Sequence, residues 1–330
     1  MSTQTATTSG AAPGLIRERM PPLAAFGPFI ALLLACVFFA SQSDRFLTGQ
    51  NFSLILQQVM VVGVVAIGQT LVILTAGIDL SCGMLMALGS IVMTKFSVDI
   101  GMNPYLAILC GLLVSTLFGL LNGSLITFVR LPPFIVTLGT LNIAFAITQI
   151  YSAAQTVSGL PDPLLFFGNT FKLAGTSVTY GTVLMLVLYL ITWYILRSTA
   201  PGRHVYALGN NAEATRLMGI RTRAILLTIY TVAGLVYGIA GLLLVSRTGV
   251  GDPNAGQTDN LDSITAVVLG GTSLFGGRGM ILGTLIGALI VGVFRNGLTL
   301  MGVASVYQIL ITGILVILAV ATDQLSRRRG

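Results

Sequence analysis

Charge is what this chain has least of. Its 330 residues include 17 Lys+Arg and 10 Asp+Glu, 8% together, where about 25% is ordinary for a soluble domain. So few charges cannot cover a soluble surface of this size. A soluble enzyme, a disordered protein and a nucleic-acid binder are therefore excluded. The pI near 9.7 does not restore the last, because the net +7 is not gathered on a soluble domain. Lysine is confined to Lys95 and Lys172 and no G-x-x-x-x-G-K-[ST] segment exists, so the chain has no P-loop for ATP. Histidine occurs once, at His204. Without HExxH, and without a membrane His beside a Ser, intramembrane zinc and serine proteases are excluded. Cys36, Cys82 and Cys110 are widely spaced and suggest neither a disulfide framework nor a metal site. They read as small buried hydrophobes. Leu33-Leu34-Ala35-Cys36 resembles a lipoprotein cleavage box, but the apolar run continues past it, which argues against lipidation.

What is present is apolar length. Hydrophobic residues make up 55% of the chain. A spanning helix needs about 20 apolar residues. Runs of that kind cover 23–41, 53–76, 104–129, 134–152, 180–197, 224–246 and 306–322, and shorter, glycine-broken runs cover 84–97, 262–275 and 281–296. The expected fold class is all-α: a polytopic membrane protein of about ten transmembrane helices, some of them short or re-entrant. Ten crossings place both termini on one side. Most of the basic residues, including Arg17, Arg19, Arg130, Arg278 and Arg327–Arg329, then share that side, and Asp44, Asp99, Asp162, Asp252, Asp259 and Asp262 take the other. The positive-inside rule makes the basic side cytoplasmic. The expected organisation is a cytoplasmic tail over 1–22, a transmembrane domain over 23–323 with a cytoplasmic loop at 198–223, and a basic tail over 324–330. Glycine supplies 39 residues, about 12% where about 7% is average. Glycines four apart at 119/123, 234/238 and 279/283/287 predict close helix contacts. Gly83-Met84 and Gly279-Met280 each open a short apolar stretch in opposite halves, which suggests an internal inverted repeat.

Arg197–Arg223 is the longest basic loop. Asn210 or Asn211 is a good N-cap, Ala212–Met218 a short helix with Glu213 in its favourable first turn, and Gly219 a good stop. A two-turn helix needs something to pack against. It is either a surface connection or a docking helix for a cytoplasmic partner. Glu213-Ala214-Thr215 with Gly219 after three residues resembles the EAA-x3-G loop of bacterial ABC-importer permeases, with Thr in place of the second Ala. The segments Gln69–Ser81, Leu131–Thr140 and Gly270–Gly279 agree, and over roughly 23–323 the chain resembles the ribose, fructose and xylose type of monosaccharide permease.

That resemblance implies a transport subunit of the bacterial inner membrane and not an enzyme. The loop would be a coupling helix seated in a groove of a separate ATPase subunit, which holds the ATP and Mg2+. Glu213, Ala214 and Gly219 would be the coupling positions, with Arg203 and Arg216 in support. A periplasmic sugar-binding protein and a second permease subunit are the other implied partners, with the lipid bilayer around them. No cofactor, metal or nucleic acid is expected on this chain. A permease for an amino acid or nucleoside, and an ion-coupled carrier using Asp79, remain alternatives.

A path for a neutral polyol needs hydrogen-bonding groups without counter-charge. Gly139, Asn142, Ala146 and Gln149 lie on one helical face, and Gln58 and Gln69 share another. Because an amide facing lipid is costly, these faces are expected to point inward, either to the path or to neighbouring helices. Asp79 and Ser81 either cap the next helix or serve as a gate. Gly276-Gly277-Arg278-Gly279 reads as a tight turn, or as an anion nest.

Overall fold

The computed structural model describes residues 27–173 and 175–328. The expected tail 1–22 and the last residues of the C-terminal tail lie outside the described residues.

Each apolar run becomes a helix. α1 spans Gly27–Gln42, α2 Gly49–Leu74, α3 Cys82–Val98, α4 Pro104–Ser124, α5 Pro133–Ser152, α7 Tyr180–Ser198, α10 Thr222–Thr248, α11 Asp259–Leu269, α12 Ile281–Leu300 and α13 Ser305–Arg328. Local chemistry sets the ends. Thr48 and Thr179 accept backbone N–H groups from Asn51 and Thr182 and start α2 and α7. Pro104 and Pro133 open α4 and α5, where a missing N–H costs nothing. α4 continues into a π-helical turn, Leu125–Val129, closed by Arg130 in the left-handed region.

Six described helices are long and apolar enough to cross a membrane: α2, α4 with its π turn, α5, α7, α10 and α12. The stretch 281–296, expected to be short, is a full helix of 20 residues. Arg295-Asn296 reads as the polar end of the run, but Asn296 is buried and bonded to Asn51 and the helix runs on. The described residues are mostly helical, as expected, with one addition. A short helix α6, Asp162–Leu165, leads into an antiparallel hairpin, β1 Thr170–Leu173 with β2 Thr176–Thr179, that packs against α2.

α2 is the middle of the bundle and is buried almost continuously from Val59 to Leu74. α10 packs against α2, α3 and α4, and α12 against α1, α2 and α11. Small residues make these contacts close. A Cβ on Gly119 would collide with the Tyr230 carbonyl and sit 2.9 Å from the Gly234 Cα. Gly283 and Gly287 face the Gly270 and Ala266 carbonyls in the same way. Many buried hydroxyls are satisfied locally or across helices, as in Thr70 to Thr284 at 2.8 Å, whereas those of Ser97, Thr127, Tyr230 and Thr272 have no partner among the described residues.

Candidate functional site

The loop after α7 holds two helices, α8 Ala200–Asn210 and α9 Ala212–Leu217. The first was not expected. Thr199 caps α8, accepting from Gly202, and Pro201 sits in its first turn. α8 is amphipathic and buries Gly202, Val205 and Leu208. Asn211 ends α8 and caps α9, its Oδ1 accepting the Ala214 N–H at 2.9 Å. Gly219 stops α9 with φ +81. Thr215, the residue that departs from the EAA pattern, is the buried one on α9, and its hydroxyl donates to the Asn211 carbonyl at 2.7 Å.

Arg203, Glu213, Ala214, Arg216 and Gly219 are all exposed. Glu213 and Arg216 form a two-point pair, Nη2 to Oε1 at 2.6 Å and Nε to Oε2 at 3.1 Å. The guanidinium holds the Glu213 carboxyl below the usual carboxylate range. Beside this pair stand Leu217 and Met218, 73% and 68% exposed. Neither stands out in the sequence as a contact residue. The available signal was an apolar pair at the tip of an otherwise polar helix.

The four segments that carried the resemblance meet at this end of the bundle. Gly209 of α8 lies against the Leu74 carbonyl, so closely that a Cβ has no room. The Gly277 N–H donates to the same carbonyl at 3.0 Å, and Gly276 abuts Ala76. Tyr206 donates to the Gly279 carbonyl at 3.0 Å. Thr137 of α5 donates to the Ile78 carbonyl at 3.1 Å. Gly276, Gly277 and Gly279 all have positive φ, as a tight turn requires. The N–H groups of Ser273 and Gly277 are bonded within the chain, which favours the turn over the anion nest.

Neither Asp79 nor Ser81 bonds a first-turn N–H of α3; Asp79 instead closes the turn just before the helix. Its Oδ1 accepts the Ser81 N–H at 2.8 Å and the Ser81 hydroxyl at 2.6 Å, and Asn122 donates to Ser81 Oγ at 3.1 Å. The Ser81 side chain makes no cap bond. Asp79→Leu is expected to lower stability by about 1–3 kcal/mol, because two buried donors lose their acceptor. Asp79→Asn keeps an acceptor oxygen and is expected to transport normally. Thermal unfolding in detergent, with uptake measured in parallel, checks both.

The polar stripe of α5 corrects an expectation. Val136, Thr137, Thr140, Ala144 and Thr148 form the buried side of the helix. Gly139, Asn142 and Ala146 lie on the opposite, exposed side, with Gln149 partly buried beside them. The stripe therefore faces out of this chain, not into it. The Asn142 amide donates to the Leu138 carbonyl one turn back, at 3.0 Å. Gln149 donates to the Pro253 carbonyl at 3.2 Å and to Asn254 Oδ1 at 3.0 Å. Gln58 and Gln69 do point into the bundle. Gln69 accepts from the Tyr237 hydroxyl at 3.4 Å, and among the described residues Gln58 Oε1 and Gln69 Nε2 have no partner. Asp262 and Arg295 join α11 to α12 through an ion pair at 3.2 Å.

Residues 51–320 match a protein family described as branched-chain amino acid transport system / permease component. The chain is 48% identical to the fructose import permease protein FrcC of Rhizobium meliloti, over 91% of this chain and 85% of that one. It is 40% identical to the ribose import permease protein RbsC of Bacillus subtilis, over 90% and 92%. It is 36% identical to the D-allose transport system permease protein AlsC of Escherichia coli, over 91% of each. No solved structure matches the chain.

Proposed function

The chain belongs to the permease components of bacterial ABC importers, and from that premise we propose that it carries a monosaccharide of the fructose, ribose or allose class across the inner membrane. Its role is transport and not covalent catalysis. A periplasmic binding protein delivers the sugar, and a separate ATPase subunit drives the exchange between outward-open and inward-open states. The α8–α9 end lies in the cytoplasm, with both termini on that side and ten helical segments, α11 among them, in the membrane. α9 is the coupling helix, with Glu213, Ala214, Arg216 and Gly219 at the ATPase contact and Arg203 in support.

One observation carries the reading of the path. α5 is apolar enough to cross the membrane, yet the amide of Asn142 lies on its exposed side between Gly139 and Ala146, with Gln149 partly buried farther along. Amides facing hydrocarbon are costly. A second copy of the chain facing α5 removes that cost and leaves a polar path between the two. The polar side chains on that stripe are amides, which match a neutral polyol. An amino acid zwitterion would favour charges or helix ends in the path.

Uptake in proteoliposomes holding permease, ATPase and binding protein tests this. Fructose or ribose uptake is expected to need ATP and to survive an uncoupler. Asn142→Leu is expected to lower it tenfold or more while ATPase assembly stays normal. Uptake that persists without ATP but stops without an ion gradient would overturn the ABC reading, and wild-type transport by Asn142→Leu would make the stripe structural.

A further inference from the structure

The chain between α10 and α11 is irregular where irregular backbone is expensive. α10 ends at Thr248 and α11 begins only at Asp259. α11 has 11 residues, about 16 Å of helix, against a hydrocarbon layer of about 30 Å. The loop before it starts beside Thr94, against which Gly251 packs, and reaches Gly256, which packs against the Gly83 carbonyl. Gly83 opens α3 and Val98 closes it, so Gly256 lies about 22 Å from that far end of α3. The loop therefore descends: Asn254, bonded to Gln149 in the last turn of α5, lies nearer the outer end, and Gly256 and Gln257 lie well down the bundle. At membrane depth such backbone is tolerated only when buried in protein or facing water. Gly251 and Pro253 are buried, but Asn254 and Gln257 are exposed. Two exposed amides on an irregular loop that descends from the outer end into the bundle mark a wet surface.

The polar stripe of α5 arrives at the same place by a separate route. Gln149, its last member, gives both of its recorded bonds to this loop, at Asn254 Oδ1 and the Pro253 carbonyl. We propose that the loop Gly251–Thr258 is a solute-contacting element of the path, in which Asn254 and Gln257 bind sugar hydroxyls and the Gln149–Asn254 bond is the one a passing sugar replaces. The proposal rests on the reading that the α5 stripe lines the path. A hydroxyl both donates and accepts, so one placed between two amides restores the bond on each side. The exchange is nearly neutral in energy, which suits a site that must also release its cargo.

The test uses the assembled transporter with its binding protein, and radiolabelled fructose and ribose. Asn254→Leu is expected to lower uptake tenfold or more with ATPase co-purification unchanged, and Asn254→Gln to keep most of it. In Asn254→Cys and Gln257→Cys, a membrane-impermeant thiol reagent is expected to label the loop and block uptake, and sugar-loaded binding protein to slow labelling. The unsubstituted chain, with Cys36, Cys82 and Cys110 in place, gives the background. Wild-type uptake by Asn254→Leu, or no labelling with or without ATP, would overturn the proposal. If Asn254→Leu does not assemble, the cysteine variants decide. Loss of uptake in Asn142→Leu but not in Asn254→Leu rejects the loop alone, whereas no effect in either rejects the path reading beneath it.

Discussion

Glu213→Arg is expected to reduce ATP-driven uptake to below a tenth of the wild-type rate while leaving a folded permease. Folding is spared because α9 does not depend on Glu213. Its cap is Asn211, its inward side chain is Thr215 and its stop is Gly219. Among the described residues the Glu213 carboxylate bonds only its neighbour Arg216, at the surface. Reversal replaces the neutral Glu213–Arg216 pair with two cations on one short exposed helix at the proposed ATPase contact, and a mismatched charge opposes association. Leu217→Asp probes the same surface by a different force. Leu217 and Met218 stand out into solvent in the single chain, which suits apolar anchors for a groove. Loss of such an anchor costs at least about 2 kcal/mol of association, roughly thirtyfold in affinity. Co-purification of the ATPase, with uptake measured beside it, reads both variants. Normal uptake and normal co-purification in Glu213→Arg would remove α9 from the coupling surface.

Gly119→Leu is expected to prevent stable assembly altogether, with the yield of monodisperse protein falling more than tenfold. α4 and α10 form the most extensive helix pair of the bundle, and they meet backbone to backbone. At Gly119 any Cβ runs into the Tyr230 carbonyl and the Gly234 backbone, and at Gly234 into the Ser115 carbonyl. Backbone atoms inside two packed helices cannot rotate away as a side chain can. The cost therefore exceeds the about 1–3 kcal/mol usual for overpacking. Gly313→Leu is the matched control, since nothing lies within 4 Å of a Cβ there and it is not on the α5 face. Size-exclusion profiles of the two variants decide the matter. Equal profiles would show that the α4–α10 contact can open without loss of fold.

The helices were legible because membrane length is written in composition. Asn211, Gly219 and the helix between them were legible because capping is a local affair. The glycines at 119 and 234 were legible as close contacts, though not as contacts with each other. α8 was missed because its apolar residues, Val205 and Leu208, are few and its polar ones resemble a connecting loop. The hairpin at 170–179 was missed because two four-residue strands carry almost no periodicity.

Composition and motif content alone determined that this chain belongs in a membrane and holds no P-loop, since charge count and motif matching need no geometry. Local sequence determined where helices begin and end, since caps and prolines act within a turn. The direction of the α5 stripe was decided only by the tertiary structure. Periodicity shows that Asn142 and Gln149 share a face but not which neighbour covers the other one. That neighbour is α3, paired with α5 through contacts far apart in sequence, and it takes the threonine side and leaves the amides outside. The meeting of Leu74, Gly209 and Gly277 was likewise decided by packing, because their shared carbonyl and close approach join segments that have nothing in common along the chain.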